Sequence, residues 1–157
     1  MNYINFRITD GDDVQKMSKL LLNSPKKYLQ YFHPFDFQEN SIQEILSKSN
    51  KDIFFSIELI KKASNILVGF YMLRGLDEGY SEPMYGVFVS SDYQNYGIGR
   101  LSLFHAECYC KMIGYKRLLL KVYPENIKAK KLYNTLGFQF LRNDPQSKQT
   151  ILYKDIQ

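Results

Sequence analysis

Residues 87–107 are the stretch that most constrains the fold, because they read as a strand, a tight turn and a helix in direct succession. Residues 87–89 favour a β-strand, and the Ser-Ser-Asp that follows ends it. The turn enters the helix through Gly97 and Gly99. A helix that begins in this way presents unpaired backbone N–H groups and the positive end of its dipole, which favour an anion such as a phosphate. The helix is predicted from an apolar stripe formed by Leu101, Phe104, Cys108 and Met112.

The glycine spacing distinguishes three kinds of phosphate-binding loop. A P-loop requires Lys and then Ser or Thr after its last glycine, whereas Arg100 and Leu101 follow Gly99. A Rossmann loop requires a third small residue, and Ser102 at that position is only a degraded match. A Rossmann loop also has to follow the first strand of a βαβ unit directly. The pattern Gln-x-x-Gly-x-Gly that starts at Gln94 resembles the pyrophosphate-binding loop of the GNAT superfamily of acetyl-CoA-dependent N-acetyltransferases.

A second pattern lies further along the chain. Residues 118–126 read as a buried strand ending at Pro124, and residues 128–138 read as a short helix that stops at Gly137. The positions that carry the pattern are Asn126, Ala129, Leu132, Tyr133, Gly137 and Phe138. They resemble the Asn-x-x-Ala-x-x-Leu-Tyr-x-x-x-Gly-Phe signature that follows the loop in GNAT enzymes. The resemblance is strong over residues 84–141 and only topological before them.

Alternation, helical periodicity and chain breakers predict the remaining elements. Predicted strands cover residues 3–8, 52–59, 65–76, 84–90, 118–126, 138–141 and 150–154, with two helices between the first two strands and one on each side of the fifth. The order is similar to the GNAT fold, an α/β (α+β) architecture with a mixed, mostly antiparallel sheet of six to seven strands flanked by about four helices. A length of 157 residues suits one domain with one core, so we expect a single GNAT-like domain over residues 1–157.

The first two helices have recognisable sequence signals. Thr9 or Asp10 is expected to cap the first helix. Ser41 and Glu44 form a plausible capping box for the second. The inward-facing side chains of that second helix are predicted to be Ile42, Ile45 and Leu46.

Composition limits the cellular compartments and ligands that we expect for this chain. No apolar run approaches the roughly 20 residues that cross a bilayer, and the amino terminus is too polar and acidic for a signal peptide. Cys108 and Cys110 stand two apart on a predicted helix, so they point to different faces, and burial is expected for both. With only two Cys and two His, the chain contains no zinc pattern. We expect a cytoplasmic protein, monomeric or homodimeric, that binds neither a membrane nor a metal.

Positive charge is concentrated in the segment that contains the two motifs. Residues 94–142 contain nine Lys or Arg and two acidic residues. A field of this sign attracts a polyanion such as CoA. Nucleic acid is the rival ligand, but no nucleic-acid-binding motif accompanies the charge, so we expect none to bind.

The GNAT resemblance implies a role for residues around the donor, acetyl-CoA, which would be the co-substrate. The pyrophosphate would meet the loop formed by Gln94, Asn95, Tyr96, Gly97, Ile98, Gly99 and Arg100. The thioester carbonyl would meet the backbone N–H of Phe88 or Val89, and Asn126 would contact the pantetheine arm or the sulfur. Tyr133 would be the general acid, since a phenol of pKa ~10 holds a proton for the departing thiolate. The alternative for Tyr133 is a packing role.

The acceptor side gives weaker signals. Glu58, Glu82 and His33 are the predicted candidates for a general base, and a sugar-type amine of lower pKa needs none. Half the residues of the aromatic segment, residues 28–37, are aromatic. From it, the predicted acceptor-binding side chains are Tyr31, Phe32, His33 and Phe35. Flat rings favour an acceptor with an apolar face, such as a sugar or a nucleotide. The alternative is that the rings close the core.

These features together predict transfer of an acetyl group from acetyl-CoA to a primary amine of a small molecule, by direct attack within a ternary complex. No acyl-enzyme is expected. A non-catalytic acyl-CoA-binding sensor or interaction module on the same fold is the alternative, because no base is identified from the sequence. A Rossmann-like nucleotide-binding module is a third possibility.

Overall fold

The computed structural model describes residues 2–157 and contains seven strands and four α-helices. The strands are β1 (Tyr3–Ile8), β2 (Ile53–Lys61), β3 (Ser64–Arg74), β4 (Met84–Val89), β5 (Arg117–Val122), β6 (Gln139–Asn143) and β7 (Thr150–Asp155). The helices are α1 (Val14–Leu22), α2 (Glu39–Lys48), α3 (Ile98–Met112) and α4 (Ile127–Thr135). The predicted order and the predicted mixed sheet are confirmed.

The seven strands form one sheet in the order β1-β2-β3-β4-β5-β7-β6. Neighbouring strands are antiparallel except β4 and β5, which are parallel. In the described chain this parallel pair meets only at two positions, Met84 opposite Leu119 and Tyr85 opposite Leu120. Beyond Tyr85 the two strands diverge, so the sheet contains a cleft between the second half of β4 and the end of β5.

Side chains from the two faces of the sheet enter two separate cores. Phe55 and Tyr71 point to the face covered by α3 and stack with their ring centroids 4.8 Å apart. Phe54 and Phe70, their neighbours in sequence, point to the face covered by α1 and α2. This alternation is the strand periodicity on which the prediction depended. Each large side chain that is fully buried contributes roughly 1.5–3 kcal/mol.

The signals for the first two helices have different outcomes. The Asp10 side chain accepts a hydrogen bond from the Asp12 backbone and forms a capping box with Asp13, at the short 3₁₀ turn that leads into α1. The predicted box between Ser41 and Glu44 is wrong. Because α2 begins earlier, at Glu39, Ser41 lies within the first turn and Glu44 pairs with Lys48 instead. The predicted inward positions of α2 are confirmed, since Ile42 is buried and Ile45 and Leu46 pack against the same core.

The buried face of α3 differs from the predicted one. The stripe of Leu101, Phe104, Cys108 and Met112 is exposed. The side chains that contact the sheet are Ile98, Ser102, Leu103, Ala106 and Cys110. Small residues dominate this face, which lets the helix approach the sheet closely. The two cysteines do point to different faces, but only Cys110 is buried, and burial raises the pKa of its thiol to about 12.

Candidate active site

A cavity of about 880 Å³ occupies the cleft between β4 and β5. Its walls are the open edge of β4, the end of β5, the start of α4, the aromatic segment and the loop after β3. The cleft exists because the first two residues of β4 are the only described ones that pair with β5, so the backbone of the second half of β4 faces open space. Backbone donors and acceptors are therefore available along one wall.

The loop before α3 starts at Gln94, which lines the cavity, and presents a run of free backbone donors. No acceptor within residues 2–157 binds the backbone N–H groups of residues 95–100. Asn95 and Gly97 have positive φ angles of 65° and 79°, which curve the loop so that successive N–H groups converge. A Cβ atom added at Gly97 or Gly99 would meet no atom within 4 Å, so the space in front of the loop is open. These groups fit a pyrophosphate.

A buried hydrogen-bond network fixes the first turn of α3 against β4. The Ser102 hydroxyl donates to the Gly99 carbonyl over 2.8 Å and lies 2.7 Å from the Tyr85 hydroxyl. Burial raises the pKa of Tyr85 well above its usual value, so this phenol stays protonated and able to donate. The loop is thus attached to the strand pair at the apex of the cleft.

Backbone alternation along β4 separates the two predicted carbonyl-binding residues. Ser90 donates its N–H to Val68 of β3 over 2.8 Å, and Phe88 lies opposite Phe70 of β3 in the same ladder. Because successive residues of a strand direct their N–H and C=O groups to opposite sides, Val89 faces the cleft. The Tyr28 hydroxyl reaches the Val89 carbonyl over 2.6 Å, consistent with that direction. Phe88 lines the cavity, but its backbone N–H points toward β3 and is not available in the cleft.

Asn126 and Tyr133 of the second motif both line the cleft. The Asn126 side-chain oxygen accepts a hydrogen bond from the Ala129 backbone over 3.2 Å and caps α4, which leaves the side-chain NH₂ as a donor. The Tyr133 ring packs edge-on against Phe138, with centroids 5.7 Å apart. Within residues 2–157 its hydroxyl has no hydrogen-bond partner, and burial raises its pKa to about 12. Tyr133 therefore has a packing contact and also carries a free phenol proton into the cleft.

The family assignment follows from the sequence as a whole. Residues 18–138 match the model of the Acetyltransferase (GNAT) family. The chain belongs to this family. The match confirms the resemblance seen in the two motifs and the enzyme class, an N-acetyltransferase. No curated protein sequence matches the chain.

Solved structures support the fold of this GNAT protein. A domain from Methanocaldococcus jannaschii aligns with a TM-score of 0.80 and 19% identity over 99% of both chains. PaiA N-acetyltransferase from Thermoplasma acidophilum, solved with coenzyme A, gives 0.76 and 17%, over 98% of this chain and 99% of its own. Spermidine N-acetyltransferase from Vibrio cholerae, solved with CoA and spermine, gives 0.75 and 19%, over 97% and 95%. At these identities the likeness shows the shared fold.

The aromatic segment of this GNAT protein bridges the two sides of the cleft. Tyr28 reaches β4 through Val89, and the Tyr31 ring lies 5.7 Å from the ring of Tyr123, just after β5. Of the predicted acceptor-binding residues, Tyr31, Phe32 and His33 line the cavity. Phe35 does not. Its ring centroid lies 6.3 Å from that of Phe70 in the core beneath α1 and α2.

The three predicted base candidates lie in different environments. His33 lines the cavity, and its Nε2 lies 3.1 Å from the Gln30 carbonyl. A carbonyl can only accept, so this hydrogen bond requires Nε2 to donate and leaves Nδ1 as the other ring nitrogen. Glu58 is buried in an ion pair with Arg7 at 2.8 Å and does not line the cavity, so its prediction as a base is wrong. Glu82 also lies outside the cavity wall, before β4.

Several cavity residues were missed by sequence reasoning. Arg74 ends an otherwise apolar strand and Glu78 lies in the loop after it; both line the cavity. Lys121 of β5 lines it as well, and pairs with Asp144 at 2.8 Å. That pair, with the hydroxyl of Ser147, lowers the pKa of Asp144 to about 2. No local sequence signal identifies Arg74, because its place in the site depends on the end of β3 meeting the aromatic segment.

Two negative findings apply to residues 2–157. They contain no cluster of three or more His, Cys, Asp or Glu side chains arranged to hold a metal ion. None of their helices has the length and apolar character needed to cross a membrane.

Proposed function

We propose that this protein transfers an acetyl group from acetyl-CoA to a primary amine of a small acceptor by direct attack of the amine on the thioester. One observation carries the proposal. Gln94 and Tyr133 line the same cavity, and Gln94 is followed by six consecutive unpaired backbone N–H groups, so an anion-binding loop and a proton donor adjoin one cavity. Family membership agrees with this chemistry.

The donor would be held mainly by backbone groups. The N–H groups of residues 95–100 would bind the pyrophosphate, with the positive end of the α3 dipole behind them. The open edge of β4 offers hydrogen bonds to the amide groups of the pantetheine arm. The side-chain NH₂ of Asn126, which lines the cleft, supplies a further donor. These contacts orient the thioester so that its carbonyl oxygen meets the Val89 N–H.

In the chemical step a C–N bond forms and the C–S bond breaks. The Val89 N–H would stabilise the negative charge that develops on the carbonyl oxygen, and such a donor is typically worth about 3–4 kcal/mol of barrier. Tyr133 would donate its proton to the departing thiolate. His33, through its Nδ1 or one water, would remove the proton from the amine. Glu78 is the second candidate, since it also lines the cavity.

The acceptor would bind beside the aromatic segment. Tyr31 and Phe32 offer ring surface at the cavity wall, which favours an amine attached to a flat or apolar body. An amino sugar or a nucleotide-linked amine has such a body.

A non-catalytic acyl-CoA-binding protein on the same fold is the second candidate function. The observation that favours it is the position of the predicted carboxylates, since neither Glu58 nor Glu82 lines the cavity. Such a protein would bind CoA tightly and leave the thioester intact.

Two measurements on the wild-type protein test the proposal. Thermal unfolding is followed with acetyl-CoA, and thiol release is followed with and without a panel of amines. Acetyl-CoA at ~100 times its dissociation constant should stabilise the fold by about 2.7 kcal/mol, and thiol release should depend on an amine. Stabilisation without thiol release from any amine would favour the non-catalytic candidate. No stabilisation by acetyl-CoA or CoA would contradict both.

A further inference from the structure

Arg74 is a cation at the cavity wall whose hydrogen-bonding capacity is largely unused. It is the last residue of β3, and its Nη1 donates one long hydrogen bond of 3.4 Å to the Pro34 carbonyl. Its Nε is buried and has no hydrogen-bond partner within residues 2–157. A guanidinium has five N–H donors; the Nε donor of Arg74 is buried and out of a ligand's reach, so the donors on its two Nη atoms are those that remain for a ligand or water.

The nearest carboxylate does not satisfy this guanidinium. Asp52 Oδ2 lies 3.7 Å from Arg74 Nε, beyond hydrogen-bond distance. Asp52 Oδ1 is already engaged, since it accepts from the backbone of Leu76 at 2.8 Å and of Asp77 at 3.2 Å. Asp52 therefore fixes the turn after β3 and partly balances the charge of Arg74 without using its donors.

Two other arginines of this protein, unlike Arg74, have guanidinium groups that donate short hydrogen bonds to a carboxylate. Arg7 holds Asp13 with two bonds of 2.7 Å. Arg117 Nε donates to Asp155 at 2.7 Å. Both lie away from the cavity. Arg74 lies at the cavity and lacks such a partner, so the unpaired fork coincides with the place where a small molecule would bind.

The charges around Arg74 are mixed, since Asp52, Asp77 and Glu78 line a surface depression together with it and Lys27 lines the cavity, so the case for an anion rests on the unused donors of the guanidinium. Glu78 and Glu125 are the acidic side chains that line the cavity itself. Tyr31 and Phe32 supply apolar surface between these charges and the cleft. A polyamine would bring further positive charge against Arg74 and Lys27, whereas a carboxylate or phosphate would pair with the fork of Arg74.

We propose that Arg74 binds an oxyanion of the acceptor, so that the natural acceptor is an amine that also carries a carboxylate or a phosphate. This inference rests on the proposed acetyl transfer and names its substrate class. The ligand chemistry is the planar or tetrahedral oxyanion that a guanidinium binds through two parallel N–H groups.

The test compares amines that differ only in the oxyanion. Cadaverine is paired with lysine for the carboxylate, and ethanolamine with O-phosphoethanolamine for the phosphate. kcat/KM is measured by thiol release for the wild type, Arg74→Gln and Arg74→Lys, with Arg117→Gln as the control that loses a charge outside the cavity. The wild type should prefer an oxyanion-bearing member by about 10- to 100-fold, in line with hydrogen bonds between charged groups. Arg74→Gln should abolish the preference, Arg74→Lys should keep part of it, and Arg117→Gln should leave it intact.

Failure of this inference is distinguishable from failure of the proposed function. Equal kcat/KM within both pairs, or an equal loss for both members in Arg74→Gln, would overturn the oxyanion site while acetyl transfer stands. If no amine releases thiol, binding of inorganic phosphate and of acetate to the CoA-saturated protein decides the matter by NMR titration. Weaker binding of either ion to Arg74→Gln than to Arg117→Gln supports the site, and equal binding of both ions overturns it.

Discussion

The hydroxyl of Tyr28 donates a 2.6 Å hydrogen bond to the backbone carbonyl of Val89, which lies 61 residues further along the chain. The bond joins the aromatic segment to the unpaired edge of β4. Edge-on contact between Tyr28 and Phe88, with centroids 6.0 Å apart, supports the same junction. The segment that covers the acceptor side is thus attached to the strand that would bind the thioester.

Tyr28→Phe should lower the free energy of unfolding by about 0.5–1.5 kcal/mol, because it removes this hydrogen bond and keeps the ring contact. Urea unfolding followed by circular dichroism measures the change. Tyr3→Phe is the matched control, since Tyr3 is 57% exposed, and its stability should stay within about 0.5 kcal/mol of the wild type. Equal effects of the two substitutions would show that the Tyr28 bond contributes nothing.

Arg7→Met should destabilise the fold by about 3–5 kcal/mol, because it leaves the fully buried carboxylate of Asp13 without its partner. Urea unfolding at pH 7 measures the loss. Arg117→Met is the control. Its partner Asp155 is about half exposed, so the loss should be below about 1 kcal/mol.

The pH dependence of the stability difference between the wild type and Arg7→Met is a separate test. Burial raises the pKa of Asp13, but hydrogen bonds from Arg7, the Asp10 backbone and Ser56 outweigh it and hold the pKa below its usual value. Asp13 therefore stabilises the wild type above about pH 4, and this contribution is lost as pH falls through the folded pKa. In Arg7→Met burial dominates and protonation stabilises the fold. The stability gap should narrow from pH 7 to pH 4, and a constant gap would contradict the ion-pair account.

Gly99→Val should raise the KM for acetyl-CoA by about tenfold or more while the fold is retained. The added side chain enters open space in front of the loop, so it costs little in the free protein but displaces the pyrophosphate from the backbone N–H groups. Steady-state kinetics measure KM, and circular dichroism checks the fold. Gly11→Val is the control, since a Cβ there also meets no atom within 4 Å, far from the cleft. An unchanged KM in Gly99→Val would remove the loop from the donor site.

Most of the fold was predictable because its signals are local. Two local signals predict the order of the elements and their bounds to within a few residues. They are the apolar alternation of β2 and β3 and the glycines at positions 97 and 137, which mark helix ends. The face of α3 was not predictable in the same way. Helical periodicity identified an apolar stripe through Leu101 and Phe104, but periodicity alone does not say which face of the helix contacts the sheet. In the structure the face with smaller side chains contacts the sheet.

Some residues of the cavity wall were predictable from the two motifs, among them Gln94, Asn126 and Tyr133, whereas the residues around the aromatic segment gave few signals. Gln94 belongs to the loop motif and Tyr133 to the helix motif, and each motif occurs at a fixed position in the fold. Glu58 was misassigned because its partner Arg7 is 51 residues away and nothing local signals the pairing. Arg74 and Glu78 belong to the site only because the end of β3 and the aromatic segment meet there, which no single stretch of sequence encodes.

The central claim, that the cleft performs acetyl transfer with Tyr133 as general acid, is tested most directly by the kinetics of Tyr133→Phe. The substitution removes the unpaired hydroxyl and keeps the ring against Phe138. Because the pKa of Tyr133 is about 12, the wild-type phenol keeps its proton at neutral pH. The wild type and the variant are therefore compared at pH 7.5, with an amine that the wild type acetylates. We predict that kcat and kcat/KM fall together by about 10²–10⁴-fold, with the KM for acetyl-CoA unchanged. A fall of less than about threefold would show that Tyr133 only packs and would contradict the account.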